Sequence, residues 1–356
     1  MASWPVFLLI LLLMNSNTYI PEYCVWELTL QCNMNCLHCG SRAGNKRVNE
    51  LSNEEALRVA DELIALSCKF LSFIGGEVFL YNGWEKIARK LTDNNVTVNV
   101  ITNGFLFGDK QVEEVRYANL SNVVLSVDGM EKNHNRIRNN SRSFARIMET
   151  MDRLNKENIL IGVNTTLLES NFYDLENLYE FLLGNNVKTW QLQLANPMGN
   201  LSDYKEQIIS IENIKKLTTF IREKRGESAM RVYTGDNIGY YGENEKYIRG
   251  LPGKINYWSG CQAGLKAVGI DSIGNVKGCE SLYDDIFIEG NLRKETLSEI
   301  WYKENNFSYN RNFDPKLLEG KCKECDMGIF CRAGCRGACY FTKQYFFENA
   351  YCIYKL

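Results

Sequence analysis

Three cysteines stand together near the start of the chain, in the run ELTLQCNMNCLHCGSRAG at residues 27–44. Cys32, Cys36 and Cys39 are spaced too tightly for ordinary disulfides, but thiolates a few residues apart can converge on one metal ion or cluster. Three cysteines can hold three irons of a four-iron, four-sulfur cube and leave the fourth iron free for an outside ligand. A zinc knuckle completed by a residue such as His38 is the alternative.

A second group of cysteines lies near the end of the chain. Cys261 and Cys279 precede the run CKECDMGIFCRAGC, which supplies Cys322, Cys325, Cys331 and Cys335, and Cys339 and Cys352 follow it. Thirteen cysteines would suit a disulfide-rich secreted protein, but their dense spacing favours metal sites, as in a zinc ribbon or an iron–sulfur module. Such sites predict a reducing compartment, the cytoplasm.

Between residue 24 and about residue 225, strand-like and helix-like runs alternate. The predicted strands are CVWELTLQ, KFLSFIGG, VTVNVITNG, NVVLSVDG, ILIGVNTTL and KTWQLQLAN. Helices are predicted near residues 84–93, 109–118, 143–156, 171–184 and 211–224, and Ser52 with Glu55 forms a capping box that opens another helix, ending near Ser67. Six βα units predict a parallel sheet covered by helices, either an open partial barrel or a doubly wound sheet.

Several of these strands end in polar residues. The second ends in Gly75, Gly76 and Glu77, the third in TNG, and the fourth in the SVDG run from Ser126 to Gly129. Active sites in parallel barrels assemble at this end of the strands, where the first cysteine loop also lies. We therefore expect the glycines to allow close approach of a ligand, Glu77 to accept hydrogen bonds from an amine, and SVDG to offer a hydroxyl and a carboxylate to ribose-like groups.

With CxxxCxxC after the first strand, GGE after the second and SVDG after the fourth, residues 21–225 resemble the radical S-adenosylmethionine (radical SAM) enzymes. The resemblance implies an α/β fold, a partial (β/α)6 TIM-like barrel. It also implies that Cys32, Cys36 and Cys39 bind a [4Fe–4S] cluster whose open iron takes the amino and carboxylate groups of S-adenosyl-L-methionine.

The same resemblance implies further contacts to the cofactor. His38 stands where the family usually has an aromatic residue near adenine, and Val78 replaces the usual proline after the glutamate. The run HNRIR is similar to the family's HDxxR and makes Arg138 a candidate for the cofactor carboxylate, with a solvated helix-start arginine as the alternative. The remaining implied cofactor-binding residues are Gly75, Gly76, Glu77 and Ser126.

The late cysteines resemble the seven-cysteine SPASM extension of radical SAM enzymes. The resemblance implies one auxiliary cluster held by Cys322, Cys325, Cys331 and Cys352, and another held by Cys261, Cys279 and Cys335. Some members complete the second site with a cysteine at the position of Ile255, so here that site is open or completed by Cys339 or by the substrate. Cys339 is otherwise expected to be a bystander, with a hydrogen-atom donor as the alternative. Cys24 and Cys68 are expected to be core residues.

Glu280 directly follows Cys279, at a position where sulfatase-maturing relatives carry a catalytic acidic residue. It is a candidate base that would deprotonate the substrate as the substrate radical is oxidised. A surface carboxylate beside a cluster loop is the alternative.

The composition limits the other possibilities. A chain of 356 residues with 45% hydrophobic residues can bury a large core, and we divide it into residues 1–20 (apolar), 21–230 (radical SAM) and 231–356 (SPASM). A net charge of -2 offers no electrostatic basis for binding nucleic acid or an anionic membrane. The run PVFLLILLLM is too short to span a bilayer, so we expect a buried or interfacial segment, with a signal peptide as the alternative.

Together these features predict an enzyme that reductively cleaves S-adenosylmethionine to a 5'-deoxyadenosyl radical and takes a hydrogen atom from its substrate. The resemblance favours crosslinking, oxidation or epimerisation of a ribosomally made peptide, with electrons from a flavodoxin- or ferredoxin-type reductant. An enzyme acting on a small molecule or a cofactor precursor is the alternative. A further alternative, from a different class of protein, is a non-catalytic protein whose cysteines bind zinc in a structural role.

Overall fold

The structure is a computed structural model that describes residues 19–225, 229–249 and 256–355. The apolar run at residues 5–14 and the position of Ile255 lie outside the described residues. Within those described, no helix combines the length and the hydrophobicity that crossing a membrane requires.

One sheet of ten strands organises the described residues, and its order is β10-β9-β8-β1-β2-β3-β4-β5-β6-β7. The strands are β1 Tyr23–Glu27, β2 Phe70–Ile74, β3 Thr97–Thr102, β4 Asn122–Ser126, β5 Leu160–Leu167, β6 Thr189–Leu194, β7 Arg231–Thr234, β8 Ala267–Ile270, β9 Asn275–Lys277 and β10 Gly290–Asn291. Neighbours from β1 to β7 pair in parallel, β8 pairs with β1 in parallel, and β9 and β10 are antiparallel.

Helices connect the parallel strands and continue beyond them. They are α1 Asn53–Ala65, α2 Trp84–Asp93, α3 Asp109–Tyr117, α4 Glu131–Ile137, α5 Ser143–Lys156, α6 Leu175–Gly184, α7 Ile211–Arg225, α8 Glu245–Ile248, α9 Leu297–Tyr302, α10 Ser308–Arg311, α11 Gly320–Lys323, α12 Gly328–Cys331 and α13 Arg336–Lys343. Strands β1 to β7 follow one another in chain order without reversal, which excludes the doubly wound alternative. The predicted parallel sheet, an unclosed barrel, is therefore confirmed.

Some elements differ from the predictions. The first strand ends at Glu27 rather than near residue 31, and α4 and β7 were not predicted. The sheet also runs past residue 230, the predicted domain boundary, because β7 pairs with β6 and β8 pairs with β1. The boundary itself stays a prediction, but strands from both sides of it share one sheet.

The two faces of the sheet have different surroundings. Alternate residues such as Val100, Val163 and Trp190 are at most 1% exposed and belong to the core that the helices cover. Since successive side chains of a strand point to opposite faces, the residues between them line the inside of the open barrel.

The capping box at the start of α1 is present as predicted. The Ser52 hydroxyl accepts from the Glu55 N–H at 3.2 Å, and the Glu55 carboxylate accepts from the Ser52 N–H at 2.8 Å. Arg293, just before α9, donates to the same carboxylate at 2.6 and 2.8 Å, and these hydrogen bonds lower the pKa of Glu55 to about 2. One carboxylate thus joins the start of α1 to the late part of the chain.

We expect Ser52→Ala to lower the free energy of unfolding by about 1 kcal/mol, because an N-cap hydrogen bond is lost. The measurement is urea unfolding followed by circular dichroism on anaerobic protein. Glu54→Ala, in the exposed first turn of the same helix, is the control and should change the unfolding free energy by less than about 0.5 kcal/mol. Equal effects of the two substitutions would contradict the capping role.

Candidate functional site

The first cysteine loop is fixed against the ends of β1 and β2 by backbone contacts. The Gly76 N–H donates to the Thr29 carbonyl at 2.7 Å, and the Glu77 N–H donates to the Gln31 carbonyl at 2.8 Å. A Cβ on Gly75 would lie 2.4 Å from the Thr29 carbonyl oxygen, and one on Gly76 would lie 2.1 Å from that of Gln31. The two glycines are therefore needed for the close approach of this loop.

Glu77 is turned inward at this junction. It is 1% exposed and accepts hydrogen bonds from the Thr102 hydroxyl at 2.7 Å and from the Asn103 N–H at 2.9 Å. Burial raises the pKa of this carboxyl, and the donors only partly oppose that. Glu77 thus anchors the TNG end of β3, and because the Phe79 N–H also donates to it at 3.4 Å, one lone-pair position of its carboxylate can still accept a hydrogen bond.

Asp128, from SVDG, sits at the centre of the site. Its carboxylate is fully buried. It lies 2.9 Å from His38 Nε2 and 2.6 Å from Arg138 Nη2, and it accepts a hydrogen bond from the Thr166 N–H at 2.9 Å. Burial opposes its ionisation, but Arg138 and His38 outweigh burial and hold the pKa of Asp128 below its usual range. The carboxylate therefore faces protein partners, where the sequence had suggested a ribose-like ligand.

Arg138 links this carboxylate to the first cysteine loop. It is 8% exposed, and its Nη1 lies 3.8 Å from the Cys36 sulfur. The solvated arginine that was the alternative for this residue is thus not what the structure contains. His38, one residue before Cys39, is held by the same carboxylate, so Asp128 fixes both ends of the segment between Cys36 and Cys39.

A buried histidine supports Asp128 from behind. The Asp128 N–H donates to His134 Nδ1 at 3.1 Å, and His134 Nε2 lies 2.9 Å from the Ser143 hydroxyl. Burial, with Arg138 nearby, lowers the pKa of His134 to about 3, so its ring is neutral. A neutral ring with an accepting Nδ1 holds the backbone of SVDG in place without adding charge.

A second support for the cysteine loop, which the sequence did not predict, lies after β6. Asn200 donates through Nδ2 to the Cys36 carbonyl at 2.9 Å, and its N–H donates to the Cys39 carbonyl at 2.8 Å. Gly199 has a φ of +56°, and a Cβ there would lie 2.2 Å from the Cys39 carbonyl oxygen. The run PMGN signals a turn in the sequence, but that signal does not reveal which loop the turn contacts.

The three thiols of the first loop suit a metal cluster. Burial raises the pKa of the Cys32 thiol to about 12, and the thiols of Cys36 and Cys39 act in the same direction. Neighbouring thiols that resist ionisation are held together as thiolates when positively charged metal ions bind them. Ser126 lies nearby, at the end of β4 and half-buried.

Four of the late cysteines line one cavity. Its lining includes the four predicted ligands of one auxiliary cluster, Cys322, Cys325, Cys331 and Cys352. Among the residues described, no three His, Cys, Asp or Glu side chains converge closely enough for a single metal ion. The cavity and its four thiols fit a cluster of several irons.

The other predicted auxiliary ligands also come together. The Cys261 and Cys335 thiols share a hydrogen bond that lowers the pKa of Cys261 and raises that of Cys335, and Cys279 interacts with both. Cys339 is fully buried, and its thiol donates to the Ala333 carbonyl at 3.0 Å. It behaves as a core residue, as Cys24 and Cys68 do.

Glu280 is not the surface carboxylate that was its alternative. It is 5% exposed, neither oxygen accepts a hydrogen bond among the described residues, and Lys277 Nζ lies 3.6 Å away. Burial raises the pKa of Glu280 to about 8, with Lys277 opposing that rise. Its Oε2 packs against Gly269 of β8, on the inner face of the barrel.

We expect Asp128→Asn to lower the free energy of unfolding by about 3 kcal/mol, because the buried Arg138 loses its counter-charge. The iron bound per chain after anaerobic reconstitution should fall as well, because the segment between Cys36 and Cys39 is freed. The matched control, Asp152→Asn on exposed helix surface, should change neither quantity. The double variant with Arg138→Met should regain part of the stability, and a double variant less stable than Asp128→Asn alone would contradict the pairing.

Comparison with known proteins adds family information to this geometry. Residues 26–182 match the model of the radical SAM superfamily, and residues 261–326 match that of the SPASM iron–sulfur cluster-binding domain. The first match includes Cys32, Cys36 and Cys39, and the second includes Cys261, Cys279, Cys322 and Cys325 of the late group. They favour iron–sulfur clusters over the zinc sites that the sequence left open.

Two relatives and one solved structure show what the chain is similar to over most of its length. The chain is 28% identical over 353 residues to an AdoMet-dependent heme synthase of Methanosarcina barkeri, covering 96% of this chain and 99% of the relative. It is 24% identical over 324 residues to the mycofactocin maturase MftC of Mycolicibacterium smegmatis, covering 90% and 80%. The structure of Streptococcus suis SuiB bound to its precursor peptide SuiA has the same fold, with a TM-score of 0.75 at 16% identity, covering 97% of this chain and 78% of SuiB.

These matches set aside the alternative of a non-catalytic zinc protein. S-adenosylmethionine and [4Fe–4S] clusters are the cofactors that the two domains bind. The first cysteine loop and the two late cysteine groups remain the predicted ligands of the clusters. The chain is a radical SAM enzyme with a C-terminal SPASM iron–sulfur domain.

Proposed function

We propose that this enzyme modifies a ribosomally made peptide, by crosslinking, oxidising or epimerising a residue. When bound to the reduced cluster, S-adenosylmethionine supplies a 5'-deoxyadenosyl radical that removes a hydrogen atom from the substrate. The protein then has to hold one carbon of the peptide in place and keep water away. The observation that carries the proposal is the row of uncharged side chains inside the barrel.

This row, which we call the amide belt, consists of Asn164, Thr166, Gln191 and Gln193 on β5 and β6. Asn164 is in register with Gln191, and Thr166 is in register with Gln193. Gln193 Nε2 donates to the Thr166 hydroxyl at 3.1 Å, and Gln191 Nε2 donates to Gln193 Oε1 at 3.3 Å. All four are half-buried and face away from the helix-covered core.

The chemistry of the amide belt suits a peptide. Each side-chain amide offers donors and an acceptor, as a peptide group does, so an extended substrate can exchange hydrogen bonds with the belt without a charge being buried. A substrate rich in carboxylates would instead be recognised by arginine or lysine. SuiB, a protein of the same fold, is known in complex with a precursor peptide.

Heme synthesis is the second candidate. It is favoured by the match to the M. barkeri heme synthase, which spans nearly the whole length of both chains. Heme carries acidic side chains, whereas the amide belt carries no charge. We therefore rank peptide modification first.

The remaining parts of the proposal concern other residues and partners. Glu280, with its raised pKa and buried position, is proposed to take a proton from the substrate after hydrogen-atom removal. Electrons are proposed to come from a flavodoxin- or ferredoxin-type protein. A cytoplasmic location is proposed, and the thirteen cysteines, none of which is in a disulfide, support it.

The decisive experiment incubates the reduced enzyme and S-adenosylmethionine with a small peptide encoded beside its gene. Oxidation or crosslinking should lower the peptide mass by about two hydrogens. Epimerisation should leave the mass unchanged in ordinary water and should show as deuterium uptake in heavy water. A parallel reaction contains a heme precursor and is followed by the absorbance of heme. Heme formation with an unmodified peptide would overturn the proposal in favour of the second candidate.

We expect Gln193→Asn to raise the KM for the peptide about fivefold to tenfold, because one hydrogen bond contributes about 1 kcal/mol. The shorter amide cannot reach Thr166 and the substrate from the same position. Cofactor cleavage without substrate should be unchanged. Gln344→Asn, on the exposed surface after α13, is the control, and an equal effect there would count against the amide belt.

Substitutions in the two cysteine groups should separate cleavage of S-adenosylmethionine from formation of the modified peptide. Cys36→Ala should abolish cofactor cleavage, because the first loop loses a ligand. Cys325→Ala should leave cleavage running without product, because only the auxiliary cluster is damaged. Production of 5'-deoxyadenosine and of modified peptide is measured by mass spectrometry, and product from both variants would show that the ligand assignment is wrong.

A further inference from the structure

The cysteine group of Cys261, Cys279 and Cys335 is one thiolate short of the four that usually bind a four-iron cluster. Cys339 does not supply the fourth. Its thiol donates to the Ala333 carbonyl at 3.0 Å and accepts from Asn349 Nδ2 at 3.4 Å, on the side of Cys322. Completion of the site by the protein therefore requires a different kind of side chain.

Asp236 lies beside this cysteine group, two residues after β7. The Tyr240 hydroxyl donates to the Asp236 carbonyl at 3.0 Å and accepts from the Cys335 N–H at 3.0 Å, so one side chain bridges the two backbones. The next residue, Asn237, bonds the carbonyl and the N–H of Leu194 on β6 at 2.7 and 3.1 Å. Asp236 is thus fixed in place from both sides.

The Asp236 carboxylate has no hydrogen-bond or ion-pair partner within residues 19–225, 229–249 and 256–355. Its side chain is accessible to solvent although Gly235 and Asn237 beside it are buried. The surrounding protein nevertheless removes enough water to raise the pKa of Asp236. Burial raises the pKa of the Cys279 thiol, and the nearby negative charge of Asp236 adds to that rise.

We propose that Asp236 is the fourth protein ligand of this auxiliary cluster. One carboxylate oxygen donates an electron pair to the iron that the three thiolates leave without a protein ligand. Carboxylate oxygen is an established ligand of protein-bound iron, although thiolate is the commoner one in clusters. The inference depends on the cluster and not on the substrate, so it stands whether or not the substrate is a peptide.

A second oxygen donor lies near the same cysteines. The Tyr309 hydroxyl is buried, interacts electrostatically with Cys261 and Cys279, and packs against Gly278, where a Cβ would lie 2.2 Å from it. That tight packing leaves it little freedom to move towards an iron. Asp236 is favoured because its carboxylate has no other hydrogen-bond or ion-pair partner among the described residues.

The experiment uses the full-length chain with Cys32, Cys36 and Cys39 replaced by alanine, which silences the first cluster. Asp236→Ala and Asp236→Cys are made in this background and reconstituted anaerobically. Asp285→Ala, an exposed aspartate of the same module, is the control. Electron paramagnetic resonance of the oxidised and reduced protein is recorded, with iron content and circular dichroism.

Asp236→Ala should change the resonance of one auxiliary cluster, with loss of about one iron per chain and a three-iron signal on oxidation. Asp236→Cys should restore the four-iron content with a shifted signal. Asp285→Ala should match the parent. Unchanged spectra and iron content in a folded Asp236→Ala protein would overturn the proposal, and so would a loss of iron in Tyr309→Phe that Asp236→Ala does not show.

Discussion

A buried negative charge at Asp128 is the interaction on which the site depends. Moving a carboxylate from water into protein costs several kcal/mol, and only well-placed partners offset that cost. Arg138, His38 and the Thr166 N–H all meet this one carboxylate. His38 belongs to the first cysteine loop, and Arg138 touches that loop at Cys36. The charge of Asp128 therefore orders the loop before any metal binds.

Three further contacts converge on the same short loop. The glycines after β2 let two backbones pass at contact distance, Glu77 secures the end of β3, and Asn200 binds the carbonyls of Cys36 and Cys39. The loop is therefore held by the ends of β2, β3, β4 and β6 together. A cluster ligand set held in this way does not have to be ordered by the cluster alone, which lowers the entropic cost of binding.

The sequence predicted the frame of this arrangement well, because helix and strand periodicity are local properties. Two helices were predicted with the bounds that they have, at residues 84–93 and 143–156, and the capping box at Ser52 is present. The cysteine groups were also found, since their spacing is short. What could not be predicted are contacts between distant residues, such as His38 with Asp128 or Asn200 with Cys36, 90 and 164 positions apart. Nothing in a residue's neighbours specifies such a partner.

The late module is not simply appended to the barrel but shares contacts with it. Strand β8 extends the barrel sheet beside β1, and the Tyr351 hydroxyl donates to the Ala195 carbonyl, just after β6, at 2.9 Å. Tyr240 joins the end of β7 to Cys335. The module therefore contacts the open barrel at both of its edges. The amide belt lies on β5 and β6, next to one of these edges. This placement depends on the hydrogen bonds that the Tyr351 and Tyr240 hydroxyls donate to backbone carbonyls after β6 and β7. A shift of one residue in either of these two strands would break them.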